Sequence, residues 1–126
     1  MTMQPLPASS WLNAPAHHAW LAAEGQRLLS FAKASRLPEG FGNLDDKGQL
    51  PANAHAETMN TARMTHSFAM AHAMGLPGYA ALVEHGVAAL SGPLRDSKHG
   101  GWFATPQAQD GNTGKAAYLH AFVALA

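Results

Sequence analysis

At 126 residues the chain has room for one domain at most. Eight Lys and Arg balance eight Asp and Glu, so no net field draws it to nucleic acid or to an acidic membrane surface. Cys is absent, which excludes disulfides, thiolate nucleophiles and zinc–thiolate sites.

Much of the apolar content is Ala and Met and no Ile occurs, a balance that favours helix over sheet and predicts an all-α chain. Residues 1–16, with Pro5, Pro7 and Pro15, read as an irregular lead-in, and residues 17–126 as the folded domain. Met1 to Trp11 has no basic stretch leading into an apolar core, so it does not read as an export signal. No apolar run is long enough to span a bilayer, and the cytoplasm is the expected location. The first helix is predicted from His17 to about Ser35, with Trp20, Leu21, Leu28, Phe31 and Ala32 as a broken apolar stripe. Pro38-Glu39-Gly40 ends it, and residues 43–53 are a polar loop with turn chemistry at Asp45-Asp46-Lys47-Gly48.

A second helix is predicted from about Ala54 to Met74, capped by Gly75. The third, from Pro77 to about Leu90, has the cleanest apolar face: Tyr79, Leu82, Val83, Gly86, Val87 and Leu90. Gly100 to Thr105 reads as a short extended piece inside a long functional loop. The fourth helix starts near Gly114 and is still running at Ala126. Ala121 to Ala126 carries no stop signal, so the chain is expected to be the leading part of a longer protein. Stacked αα-hairpins are the expected architecture.

Several residues carry candidate chemistry. Met59, Arg63, His66 and Met70 share one face of the second helix, and no acid lies three or four residues from Arg63. A guanidinium so placed needs a distant partner or a wet cavity, since burying it unpaired costs several kcal/mol, on the order of 3–5. The eight histidines lack metal-ligand spacing, and His55, His72 and His85 fit partly exposed or capping roles. Gly100-Gly101 precedes Trp102-Phe103, aromatics that suit either core filling or stacking on a sugar face. It is not a phosphate loop, because the P-loop lysine and the Rossmann glycine spacing are missing. Asp96 and Asp110 sit in turn-like contexts with nothing to raise a carboxyl pKa, which argues against a glycosidase pair.

In order along residues 11–126, these pieces resemble the N-acylglucosamine 2-epimerase superfamily, and within it the aldose–ketose isomerase branch. The matching segments are Pro38-Glu39-Gly40-Phe41-Gly42 with Leu44 and Lys47-Gly48, Thr61-Ala62-Arg63-Met64-Thr65-His66, and Val83-Glu84-His85-Gly86. They continue with Leu94-Arg95-Asp96, Gly100-Gly101-Trp102-Phe103, and Lys115 with Tyr118, His120, Ala121 and Phe122. The resemblance implies the first part of an (α/α)₆ barrel with a sugar pocket in its mouth. It also implies proton transfer between C1 and C2 of an open-chain sugar through an enediol, without metal or nucleotide cofactor. Arg63 and Tyr118 match substrate contacts, His120 and Trp102 match positions near the pocket, and Met59, His66 and Lys115 are further pocket candidates. The family's proton-transferring histidines match nothing up to Ala126, so no catalytic residue is assigned in this chain. Asn43 and Met59 stand where relatives often carry an aromatic. The expected function is that of a fragment of a mannose–fructose type isomerase, with a small sugar as partner and the oligomeric state left open. A 2-epimerase of an N-acyl sugar or disaccharide, and a non-catalytic helical interaction module, are the alternatives.

Overall fold

A computed structural model describes residues 2–5, 10–106 and 115–126 of the chain. The expected all-α class is what the structure has. Four helices, α1 (Pro15–Ala32), α2 (Thr58–Ala73), α3 (Ala80–Ser91) and α4 (Ala117–Leu125), are joined by one small hairpin of strands β1 (Arg36–Leu37) and β2 (Gly40–Phe41). The strands pair antiparallel, Arg36 with Phe41 and Leu37 with Gly40, around Pro38-Glu39. Helix hairpins stacked side by side are the unit that a helical barrel repeats. No helix among the described residues is long and apolar enough to cross a membrane.

The helix limits differ from the sequence expectation for local reasons. α1 begins at Pro15 instead of His17, because proline is preorganised for the first helical position. It ends at Ala32, where a 3₁₀ turn over Lys33–Ser35 takes over and the Ser35 hydroxyl donates to Ala32 O at 2.6 Å. α2 starts at Thr58, four residues later than expected. Residues before it stay extended because the Glu57 amide is held by Phe41 O at 3.0 Å and the Thr58 amide by Ala104 O at 2.9 Å. α3 starts at Ala80, after the Pro77-Gly78 turn, and its first amides run to Tyr79 O. α4 spans Ala117–Leu125, and the Ala126 amide still donates to Phe122 O at 3.0 Å, so its helical bonding continues to the last residue as expected. The predicted start at Gly114 and the acid Asp110 lie outside the described residues.

α2 is the centre of the packing, with Thr58, Thr61, Ala62, Thr65, Phe68 and Ala71 buried. One cluster joins Phe41, Phe68, Ala71, Tyr79 and Leu82, and Phe68 stacks on Tyr79 at 5.6 Å between ring centres. A second joins Ala62, Ala89, Leu90 and Leu94, with Trp102, Phe122 and Val123 against it. On α3 the buried face is Leu82, Gly86, Ala89 and Leu90; Val87, expected on it, is exposed. α1 has no buried residue. Its Leu21 and Leu28 border an open apolar groove of ≈ 380 Å³ shared with Met70 of α2 and Met74 at its C-cap.

Gly86 is where α3 crosses α2 most closely. A Cβ there would overlap the Thr65 hydroxyl and come within 3.0 Å of Thr65 Cβ and 3.3 Å of the Phe41 ring. On helix propensity alone, Gly86→Ala would stabilise by about 1 kcal/mol. Overpacking at this crossing reverses the sign. We expect Gly86→Ala to lower stability by about 2 kcal/mol in a urea titration, and Thr65→Ala to recover part of the loss when combined with it.

Candidate functional site

Arg63 lies one turn into α2 and is exposed. Its Nη2 donates to the Tyr118 hydroxyl of α4 at 3.1 Å, and its Cζ stands 4.4 Å over the Phe122 ring. Tyr118 and Phe122, one turn apart on α4, meet edge to face at 5.0 Å. Arg63 forms no ion pair with any acid among the described residues. Its partners are therefore a phenol oxygen and an aromatic face, which leave most of its donors open. A guanidinium has five N–H groups, and the described structure spends one on Tyr118. Tyr118 is 63% exposed and accepts that bond, so its own O–H is left to donate. Met59 and His66 flank Arg63 on α2, both half-buried, whereas Met70 lies two turns on and borders the apolar groove.

The other expected residues gather on the opposite side of α4. Arg95 and Trp102 pair as an antiparallel bridge, and the Phe103 amide donates to Leu94 O at 3.0 Å, so the extended piece expected near residues 100–105 is present at its centre. Trp102 is half-buried, donates Nε1–H to Leu90 O at 2.6 Å and meets His120 edge to face at 5.6 Å. Its amide donates to His120 Nε2 at 3.1 Å. An amide can only donate, so Nε2 carries the lone pair and Nδ1 carries the proton that reaches Ala116 O at 2.8 Å. Both ring nitrogens of His120 are thus engaged with backbone. Thr65, Leu90, Arg95, Trp102, His120 and Val123 line a cleft of ≈ 300 Å³.

Lys115 does not face this cleft. Its Nζ donates to Asp96 Oδ2 at 2.5 Å and to Gly100 O at 2.6 Å, and stands 5.3 Å from the Phe103 ring centre. Asp96, 6% exposed, also accepts the Lys98 and His99 amides on Oδ1 at 3.0 and 2.9 Å. The lysine bond, reinforced by the two amides, holds the Asp96 carboxyl well below the usual carboxylate range despite its burial. Gly101 closes the turn with φ +75°, and a Cβ there would come within 2.7 Å of His120 Nε2 and 3.3 Å of Lys115 Cδ.

Three features named in the sequence without these contacts gain a role in the structure. Phe122 forms the floor beneath Arg63; the sequence placed it in the segment matching the family, one turn from Tyr118, without giving it a role. Asp96 is the hub of the 95–103 loop; the Asp-Ser-Lys-His turn was the available signal. A polar relay runs beside α2: Asn60 Nδ2 donates to Asn43 Oδ1 at 2.5 Å, and Asn43 Nδ2 donates to Glu57 Oε1 at 2.9 Å. His85, expected to be partly exposed or capping, is half-buried, with Nε2 2.7 Å from Leu37 O and 3.1 Å from Gly40 O. It thereby fixes the strand hairpin onto α3. Among the described residues, no three of His, Asp and Glu come together as a metal site would need.

Because the native Asp96 titrates low and its unfolded counterpart near 3.9, the unfolded chain takes up the proton first as pH falls. The stability this carboxylate contributes is full above about pH 5 and is lost progressively below about pH 4. We expect Asp96→Asn to destabilise at pH 7 and the difference from the parent to shrink in acid, as measured by denaturant titrations between pH 7 and pH 3. A difference that widens in acid contradicts the assignment.

Comparison with known proteins bears on these groups. The family model for N-acylglucosamine 2-epimerase (GlcNAc 2-epimerase) matches residues 40–126, which includes Arg63, Trp102, Lys115, Tyr118 and His120. A D-mannose isomerase of Pseudomonas cannabina pv. alisalensis is 67% identical over 118 residues, 94% of this chain and 28% of the relative. A D-mannose isomerase of Thermobifida fusca is 46% identical over 119 residues, 92% of this chain and 29% of the relative. The chain thus spans less than a third of the length of either. With the model covering well over half of its residues, this chain belongs to the N-acylglucosamine 2-epimerase family.

Proposed function

We propose that this chain is the leading portion of a sugar isomerase that interconverts an aldose and a ketose of the mannose–fructose kind. The carrying observation is Arg63, an exposed guanidinium without an acid partner among the described residues, seated on Phe122 and hydrogen-bonded to Tyr118. A neutral polyol offers hydroxyl and carbonyl oxygens instead of a carboxylate, and this pair matches it. Arg63 supplies donors, and the Tyr118 O–H, polarised by the guanidinium, supplies one more. Their task is to hold an open-chain sugar so that C1 and C2 lie within reach of a proton-transferring imidazole, a positioning role. That imidazole belongs to the remaining length of the protein, as do the helices that cover the apolar groove beside α1. Met59 and His66 stand beside Arg63 at this site, whereas Trp102 and His120 line the separate cleft across α4. Proton transfer between C1 and C2 through an enediol asks for a base that titrates near neutrality, which imidazole meets without a metal or nucleotide.

The relatives' shared name favours isomerisation, whereas the family model carries the name of a 2-epimerase. The products separate the two, since a ketose forms only in isomerisation. The test is to extend the chain to the relatives' full length and assay mannose against fructose. Arg63→Ala should lower kcat/KM by about 100-fold or more while the protein stays folded by circular dichroism. Near-parental activity in that variant rejects the assignment of Arg63.

A further inference from the structure

We propose that Asp96 and Lys115 form a latch that positions Tyr118 against Arg63, an inference that rests on the isomerase reading above. Tyr118 is 63% exposed, and its described contacts are Arg63 and Phe122. Burial therefore does not fix its hydroxyl; the placement of the first turn of α4 does. That turn has no side-chain cap of its own, since Ala116 occupies the N-cap position. It is held from outside, by two side chains that bracket Tyr118 in sequence. Lys115 grips Asp96 and Gly100 O, and His120 accepts the Trp102 amide. Both grips end on the same loop.

The loop offers a firm hold. Asp96 accepts two amides on one oxygen, its own amide donates to Gly101 O at 2.9 Å, and the Gly100 amide donates to Asp96 O at 2.9 Å. The loop is in turn tied to α2, where the Thr58 hydroxyl donates to Phe103 O at 2.5 Å. α2 also carries Arg63. A closed circuit results: α2 to loop through Thr58, loop to α4 through Asp96–Lys115, and α4 back to α2 through Tyr118–Arg63. Loss of the Lys115 charge leaves the buried carboxylate to the two amides and to His99, whose Nδ1 is 3.5 Å from Oδ2, and opens the circuit at the joint nearest Tyr118. Lys115 is on this account a positioning residue whose ammonium is committed to the protein, not to the sugar.

The test is a double-mutant cycle in the full-length enzyme, with kcat/KM for mannose as readout. Lys115→Gln should lower kcat/KM by about the factor that Tyr118→Phe does, and should add less than about two-fold once Tyr118→Phe is present. Lys115→Arg, which keeps the charge, should restore most of the activity. A lysine that merely supports the fold would lower the thermal midpoint but multiply its kinetic effect with that of Tyr118→Phe; such independence overturns the latch. So does Lys115→Gln with unchanged kcat/KM. Should Lys115→Gln not fold, His120→Gln opens the other grip, and the same coupling or independence decides. If Tyr118→Phe alone leaves kcat/KM untouched, the isomerase-site reading fails and the latch falls with it, whereas a costly Tyr118→Phe without coupling overturns the latch alone.

Discussion

Three buried threonines on one helix hold this structure in register. Thr58, Thr61 and Thr65 are each 0% exposed, and each fixes α2 to a different neighbour. The Thr58 hydroxyl takes the carbonyl of Phe103, and its amide takes that of Ala104. Thr61 Oγ1 accepts the Phe41 amide at 3.0 Å, which anchors the strand hairpin. Thr65 turns its hydroxyl onto Thr61 O at 2.6 Å and packs under Gly86, so that α3 crosses close. Threonine suits this work because its hydroxyl can donate or accept across a packed contact while its methyl faces the core. With these ties α2 becomes the post from which Arg63 is displayed.

Charge is distributed around that post by a simple contrast. Asp96 is buried and answered at once by Lys115 and two amides, so its field is spent inside the loop. Arg63 is exposed and answered only by a phenol and an aromatic face among the described residues. A cation on a ring keeps its hydrogen-bonding capacity toward solvent or ligand, whereas a cation on a carboxylate does not. Two basic side chains on facing segments thus have different destinies. The difference lies in what the chain put opposite each of them.

Much of this was legible in the sequence. The poverty of β-branched residues, the Gly75 to Gly78 turn and the apolar spacing of Leu82, Gly86 and Leu90 point to helical hairpins. The absence of an acid near Arg63 along its helix carries through to the folded chain. What was not legible came from tertiary ties. Thr58 begins α2 because Ala104, far along the chain, binds its amide, and no local signal near Ala54 reports that. Asp96 reads as a turn residue and is set aside as an acid catalyst, but its ion pair was not legible, since its partner Lys115 lies nineteen positions away. The exposure of Val87 follows from Ala89 facing Ala62 and Leu94, a rotation of the helix that apolar spacing alone does not set.

Gly101 has a consequence for inheritance of the gene. Its backbone lies where side-chain-bearing residues rarely go, and the space beside its Cα is taken by the imidazole of His120 and the stem of Lys115. Any missense change in that codon puts carbon into the gap, displaces the His120 ring and crowds the Lys115 stem. The position should therefore tolerate almost no allelic variety on packing grounds alone.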